Sequence, residues 1–201
     1  MTITIRNIAT AIALCIVASG CNSKNNDTPK ELNNSGIEQY SENNKPIFID
    51  EDGSLERMYK EQGVTYSADI ETAAANDDTE ALKAIATMYS YGICGVEANR
   101  KKAYVAYRKL AEAGDVEAMG KLGYMLLYGL CPLEDTTQGL EWLVKAANER
   151  DGFAFLTLGY FFDRNLEPTK ANKIQAELYY NEAVKLGYAE AEELLKELKE
   201  Q

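Results

Sequence analysis

Four alanines, Ala81, Ala118, Ala154 and Ala191, stand 37, 36 and 37 residues apart, and the stretches around the first three are alike. They read EALKAIATMYSYGIC from Glu80, EAMGKLGYMLLYGLC from Glu117 and FAFLTLGYFFDRNLE from Phe153. Four positions after each alanine come Ile85, Leu122 and Leu158; one further come Ala86, Gly123 and Gly159; at eight come Tyr89, Leu126 and Phe162. Self-similarity at a period in this range marks a chain built from stacked supersecondary units, a stronger constraint than any local propensity.

The second half of each unit repeats too, as AYVAYRKLAEAGD (103–115), GLEWLVKAANERD (139–151) and AELYYNEAVKLGY (176–188). Apolar or small residues recur at i, i+3, i+4, i+7 and i+8, as at Ala103, Ala106, Tyr107, Leu110 and Ala111. That spacing predicts a helix with one buried stripe. Tyr91-Gly92 and Tyr128-Gly129 close the first helix of two units, where glycine permits a left-handed exit. Each unit is a helix–loop–helix hairpin that cannot close its own core, so hairpins must stack. The fold class is all-α, an α-solenoid. Ala or Gly at the anchor and five positions on lets a neighbouring helix approach, and Trp142, by register, faces the shared core of the central unit.

On these residues the chain resembles the Sel1-like repeat family, relatives of the tetratricopeptide repeat. The carriers are Leu122-Gly123-Tyr124, Tyr128-Gly129, Trp142 and Lys145-Ala146-Ala147, with Tyr91-Gly92, Tyr107, Leu158-Gly159-Tyr160, Tyr179-Tyr180 and Gly187 in the flanking units. Repeats span about 80–116, 117–152 and 153–188. Residues 67–76 open the stack as a half-unit, and 189–201 form a capping helix, together a repeat domain over 67–201. Three departures stand out: Ala86-Thr87 replaces Gly-Tyr, Arg150 replaces a closing glycine, and Asn165 replaces the loop glycine ahead of a longer loop at 167–174. Residues 47–66 have no clear register, although 55–61 could be one more short helix.

The other end of the chain has a different grammar. Residues 8–18 (IATAIALCIVA) are apolar apart from Thr10, follow the single charge Arg6, and end in IVASGC. A basic start, a short apolar core and small residues at the end are the pattern of a secretory signal peptide, over 1–20. Residues 18–21 resemble a bacterial lipobox, with Ala18 where Leu is usual. That resemblance implies lipidated (palmitate-bearing) Cys21 as the mature start and a lipoprotein of the outer membrane facing the periplasm. Residues 21–46 are rich in Asn, Ser, Lys and Glu. They read as a tether of r.m.s. span roughly 25–30 Å.

The sequence carries no histidine, and 21 basic against 32 acidic residues give −11. Loss of 1–20, with Arg6, makes it −12. Such a chain is repelled by nucleic acid and anionic membranes, so contact with membrane is expected through the lipid alone. Without histidine the commonest general base, the Ser-His and Cys-His pairs and most zinc sites are gone. GxSxG, HExxH, P-loop and CxxC motifs are missing as well. Asp77-Asp78, Glu134-Asp135 and Glu192-Glu193 read as solvated charge. The expectation is a non-enzyme with no cofactor, no metal and no small-molecule substrate.

Cys94 and Cys131 lie 13 residues after their anchors, at equivalent loop positions. A disulfide between units and two semi-buried thiols used as small hydrophobes both remain open.

At 100° per residue, the +6 positions (Thr87, Tyr124, Tyr160) and +10 positions (Tyr91, Tyr128, Arg164) fall together on one side of the first helices. In tetratricopeptide-like stacks those helices line the concave surface, so the resemblance makes these six residues a partner-binding groove. Tyrosine suits an interface, although packing between units would use the same faces. The family resemblance implies a protein partner. An acidic, lipid-tethered Sel1-like protein looks like immunity proteins that neutralise exported effectors, type VI secreted phospholipases for example. The alternative is a housekeeping envelope adaptor or regulator.

Overall fold

The computed structural model describes residues 52–130, 135–166 and 168–200. The signal peptide, Cys21, the tether and Cys131 lie outside the described residues. Within them nine α-helices and one π-helical segment follow one another, with no strand. They are α1 (Ser54–Glu61), α2 (Ala68–Ala75), α3 (Thr79–Tyr91), α4 (Arg100–Glu112), α5 (Val116–Leu127), α6 (Thr136–Asn148), α7 (Gly152–Tyr160) continued by the π-segment Phe161–Asn165, α8 (Lys170–Lys185) and α9 (Ala189–Glu200). The chain divides within α4 into two compact units, residues 52–106 and 107–200.

One capping device starts the first helix of every repeat. Asp78, Asp115 and Asp151 each stand three residues before an anchor alanine and accept its N–H, from Ala81, Ala118 and Ala154, at 2.8 Å. A carboxylate there satisfies an orphan donor and favours the positive end of the helix dipole, worth about 1 kcal/mol each. The anchor of α9, Ala191, has Tyr188 in that place and donates to its backbone carbonyl at 3.1 Å. The second helices are capped as well, α6 by Asp135 through Gln138 N–H and α8 by Thr169 through Asn172 N–H. Two of the residues read as solvated charge, Asp78 and Asp135, are therefore caps.

In the first unit, Ala84, Met88 and Ile93 form a buried cluster. Leu55 and Tyr59 of α1, Ile70 of α2, and Val64, Tyr91, Cys94 and Val96 close over it. Residues 55–61 thus belong to a helix that covers the end of α3. Ser67 caps α2 through Ile70 N–H at 3.3 Å.

In the second unit, glycines set how closely helices cross. A Cβ on Gly123 would stand 2.8 Å from the Gly139 carbonyl oxygen and 2.9 Å from the Leu143 nitrogen. One on Gly139 would stand 2.7 Å from the Leu127 nitrogen, so α5 and α6 meet backbone to backbone. α7 meets α8 where Gly159 leaves room for the Tyr180 ring, 2.5 Å from a would-be Cβ. Leu122, Leu126, Leu143, Leu158, Phe162 and Tyr180 fill the interior.

Two expectations need correction, and one departure finds its place. Residues 170–174 are not loop but the first turn of α8, because Thr169 caps that helix early. Trp142 is half-buried rather than in the core, with the Lys145 ammonium 4.1 Å over its ring. Arg150, at the place of a closing glycine, takes the left-handed conformation itself at φ 66°.

Candidate interaction surface

The six groove residues divide between the two units. In the first, Thr87 is half-buried, and Tyr91 packs its ring against the Ala84–Met88–Ile93 cluster. Tyr91 therefore serves the core more than a surface. Cys94 has φ 59°, and its thiol lies 4.0 Å from the Val64 carbonyl oxygen. Burial, then the charge of Glu56, pushes that thiol up from its ordinary pKa.

The first unit also holds a polar network that joins residues far apart in the sequence. Glu71 Oε1 accepts from the hydroxyls of Tyr66 (3.0 Å) and Tyr89, and from Lys102 Nζ at 3.1 Å. Lys102 Nζ also donates to the Tyr89 oxygen at 2.7 Å and lies 4.5 Å over that ring. The Tyr89 hydrogen bond first, with help from Lys102 and Tyr66, holds the Glu71 carboxyl below its ordinary pKa. Hydrogen bonds to Tyr89 and then Glu71 push Tyr66 up to about 12. One signal for this network was present in the sequence. Of the three residues eight positions after an anchor, Leu126 and Phe162 are apolar, and Tyr89 alone carries a hydroxyl.

In the second unit Tyr124, Tyr128 and Tyr160 come together. The Tyr124 and Tyr128 rings are 4.8 Å apart, and Tyr124 stands 5.7 Å from the Phe153 ring. Tyr124 is only 4% exposed, so its ring is committed to packing rather than to an open groove. Tyr128 and Tyr160 are half-buried. Burial raises the pKa of both phenols; Tyr128 is also raised by Tyr124 and Tyr160, whereas at Tyr160 the Arg164 charge opposes burial, and Asp163, Glu190 and Glu197 act with burial. These hydroxyls stay protonated at any physiological pH and act as donors.

Beside them the π-segment builds an ion pair. Arg164 Nε donates to Asp163 Oδ2 at 2.9 Å, and its NH2 donates to Glu197 Oε2 of α9 at 2.6 Å. The Asp163 side chain is 2% exposed and also accepts from the Tyr180 hydroxyl at 3.3 Å. Burial works against the Arg164 charge, but Asp163 and Glu197 outweigh it and raise its pKa. The Tyr128 hydroxyl reaches Asn165 Oδ1 at 3.5 Å. The surface offers aromatic faces, phenolic donors and fixed carboxylates, the means of recognising a protein.

As for chemistry, Ser90, the one serine within the repeats, donates to the Ala86 carbonyl at 2.6 Å. Among the described residues no helix is long and apolar enough to cross a membrane, and no group of three or more acidic or thiol side chains could hold a metal ion.

The Sel1 repeat model matches residues 79–115, 116–151 and 158–188. Comparison with the curated proteins finds no match. Among solved structures, c5321, described as a protective antigen present in uropathogenic Escherichia coli strains and displaying an SLR fold, matches at 28% identity and TM-score 0.56. That match covers 71% of this chain and 32% of the other, so the chain spans about a third of that protein. A Sel1 repeat protein from Oxalobacter formigenes matches at 26% identity and TM-score 0.49, over 58% of this chain and 47% of that one. With three matched units over more than half of its residues, the chain belongs to the Sel1 repeat family.

Proposed function

We propose that this chain is a non-catalytic, protein-binding lipoprotein of the cell envelope, anchored through Cys21, facing the periplasm and holding one exported toxic effector on its repeat surface to neutralise it. Sel1 repeats generally serve as protein-interaction scaffolds. The observation that carries the reading is the pairing of half-buried Tyr128 and Tyr160 beside a charged rim, on a stack of helices whose sequence contains no histidine. Supporting the location is IVASGC at 16–21, behind a short apolar run.

The test has two arms. The full chain is used to capture partners, and a deletion strain is challenged with a toxin-delivering sibling. The expected outcome is a co-purified effector and killing that depends on the deletion, with protection lost in a folded Tyr128→Ala/Tyr160→Ala variant. Survival of the deletion strain, with capture of a resident envelope protein instead, would mean a housekeeping adaptor. Equal incorporation of labelled fatty acid into wild type and Cys21→Ser would remove the anchor.

A further inference from the structure

The two ends of the repeat stack are covered unequally. At the C-terminal end, α9 buries Ala191 and Leu198 and leaves its charged residues outside, as a terminal cap should. At the N-terminal end the covering helix is α1, and none of its residues is fully buried. Met58 is 41% exposed. Tyr59, Val64 and Ile70 are half-buried, although all three pack against the Ala84–Met88–Ile93 cluster. Together with Ala81 and Ala84 of α3, these four line an open cleft of about 380 Å³. That is the low end of the roughly 300–1,000 Å³ that ligand clefts span, enough for a few side chains rather than a folded partner. Apolar walls left in water favour whatever apolar group can cover them.

The chain enters α1 through a bend. Gly53 is left-handed at φ 65°, and Asp52 Oδ1 accepts the Ser54 N–H at 3.0 Å. Just upstream, outside the described residues, the sequence reads Lys45-Pro46-Ile47-Phe48-Ile49-Asp50-Glu51. Between Cys21 and Asp52, Ile47, Phe48 and Ile49 are the only large apolar residues that stand side by side. They precede Asp52 by three to five residues, which an extended chain spans in roughly 10–18 Å. Met58 stands about one turn past Ser54, roughly 6 Å along α1, so the cleft is within reach of a chain that doubles back along the helix. Asp78, Glu80 and Lys83 are the exposed charges at the cleft. They suit a stretch bounded by Lys45 on one side and by Asp50 and Glu51 on the other.

We propose that this cleft seats the Ile47–Phe48–Ile49 segment of the same chain, so that the N-terminal end of the stack is closed by the residues that lead into it and the tether ends at Pro46. A segment joined to the cleft by a few residues competes at high effective concentration with any apolar group from another molecule. A protein partner is thereby left the tyrosine surface and not this cleft. The seat needs no partner, so it stands or falls apart from the functional reading above.

Hydrogen exchange followed by mass spectrometry, on the full chain in detergent, tests the seat. Ile47→Ser/Phe48→Ser/Ile49→Ser is expected to speed amide exchange across 55–64 about tenfold and to leave α8 unchanged. Leu32→Ser/Ile37→Ser/Tyr40→Ser removes as many apolar side chains further upstream and should change the same amides less than about twofold. With Met58→Glu placing a charge at the cleft, the 47–49 substitutions should likewise add less than about twofold. Equal acceleration by the two triple variants, no acceleration by the 47–49 variant, or its full effect persisting beside Met58→Glu would overturn the seat. So would protection that fades when wild type is diluted, since the segment would then fill the cleft of a second copy.

Discussion

The hairpins α5–α6 and α7–α8 share one sequence register within one compact unit, yet they solve the same crossing differently. In α5–α6, Gly123 and Gly139 face each other, the backbones touch, and Leu143 fits the narrow gap. In α7–α8 the partner of Gly159 is Ala176 rather than a second glycine, and Tyr180 stands where Leu143 does. There the ring itself occupies the space that Gly159 leaves. The larger side chain brings a hydroxyl, and a buried hydroxyl needs a partner. Asp163 supplies it from the π-segment and thereby also holds Arg164. The exits differ accordingly. Gly129 turns the chain at φ 61°, whereas α7 runs on through Phe161–Asn165 as a π-helical segment. One Leu-to-Tyr difference in a repeat thus accompanies a new ion pair at the surface, which is consistent with π-segments being common at functional sites.

The largest expected effect comes from breaking the tighter crossing. Gly123→Leu puts a side chain against backbone atoms of α6 that cannot move without shifting the helix, and should cost roughly 3 kcal/mol, the upper end for overpacking. Gly159→Ala meets a ring, which can tilt, and should cost about 1 kcal/mol. Chemical denaturation of both variants measures the difference. Equal losses would mean that the two crossings are equally tight and that Tyr180 is not a substitute for backbone contact.

Trp142 and Tyr179 occupy the same register on α6 and α8 but differ in burial. Tyr179 is 3% exposed, whereas Trp142 is half-buried beneath the Lys145 ammonium. Truncating a fully buried large aromatic costs about 3–5 kcal/mol, so Trp142→Ala should cost about 2 kcal/mol. Lys145→Gln should remove only a few tenths through the lost cation–π contact. A Trp142→Ala loss as large as that of Tyr179→Ala would return Trp142 to the core.

Much of this was legible in the sequence, because a repeat shows the same position three times. The anchor alanines, Gly123 and Gly159, and the exits at Gly92 and Gly129 follow from spacing alone. The aspartate caps are equally visible, three residues before each of the first three anchors, but Asp78 and Asp135 each follow another acidic residue and so read as surface charge. Periodicity says which face a residue takes but not how far neighbours cover it. Hence Tyr124 and Tyr128, both assigned to a groove, differ in exposure, and Trp142 proved too exposed for a core position. The Asp163 network was not legible, and of the Glu71 network only the odd hydroxyl of Tyr89 was. Each joins residues from three or more segments, and only packing brings those together.

The smallest effect tests why the α7 exit differs. If the π-segment exists only because Asn165 replaced a glycine, then Asn165→Gly should restore a left-handed stop and release Arg164 from Asp163. The packing argues otherwise. Phe162 is 2% exposed, and rewinding the π-segment to α-helical pitch would rotate it out of the interior while separating Asp163 from Tyr180. Those losses exceed the small gain a glycine offers at a helix end. The expected outcome is a drop of about 0.5 kcal/mol, from the added freedom of the unfolded chain. The guanidinium Nε–H of Arg164 should remain slowly exchanging by NMR, as its hydrogen bond to Asp163 persists. Increased stability together with a fast-exchanging Arg164 signal would show that the missing glycine governs the exit. The ion pair would then be a consequence of the turn, not one of the contacts that hold it.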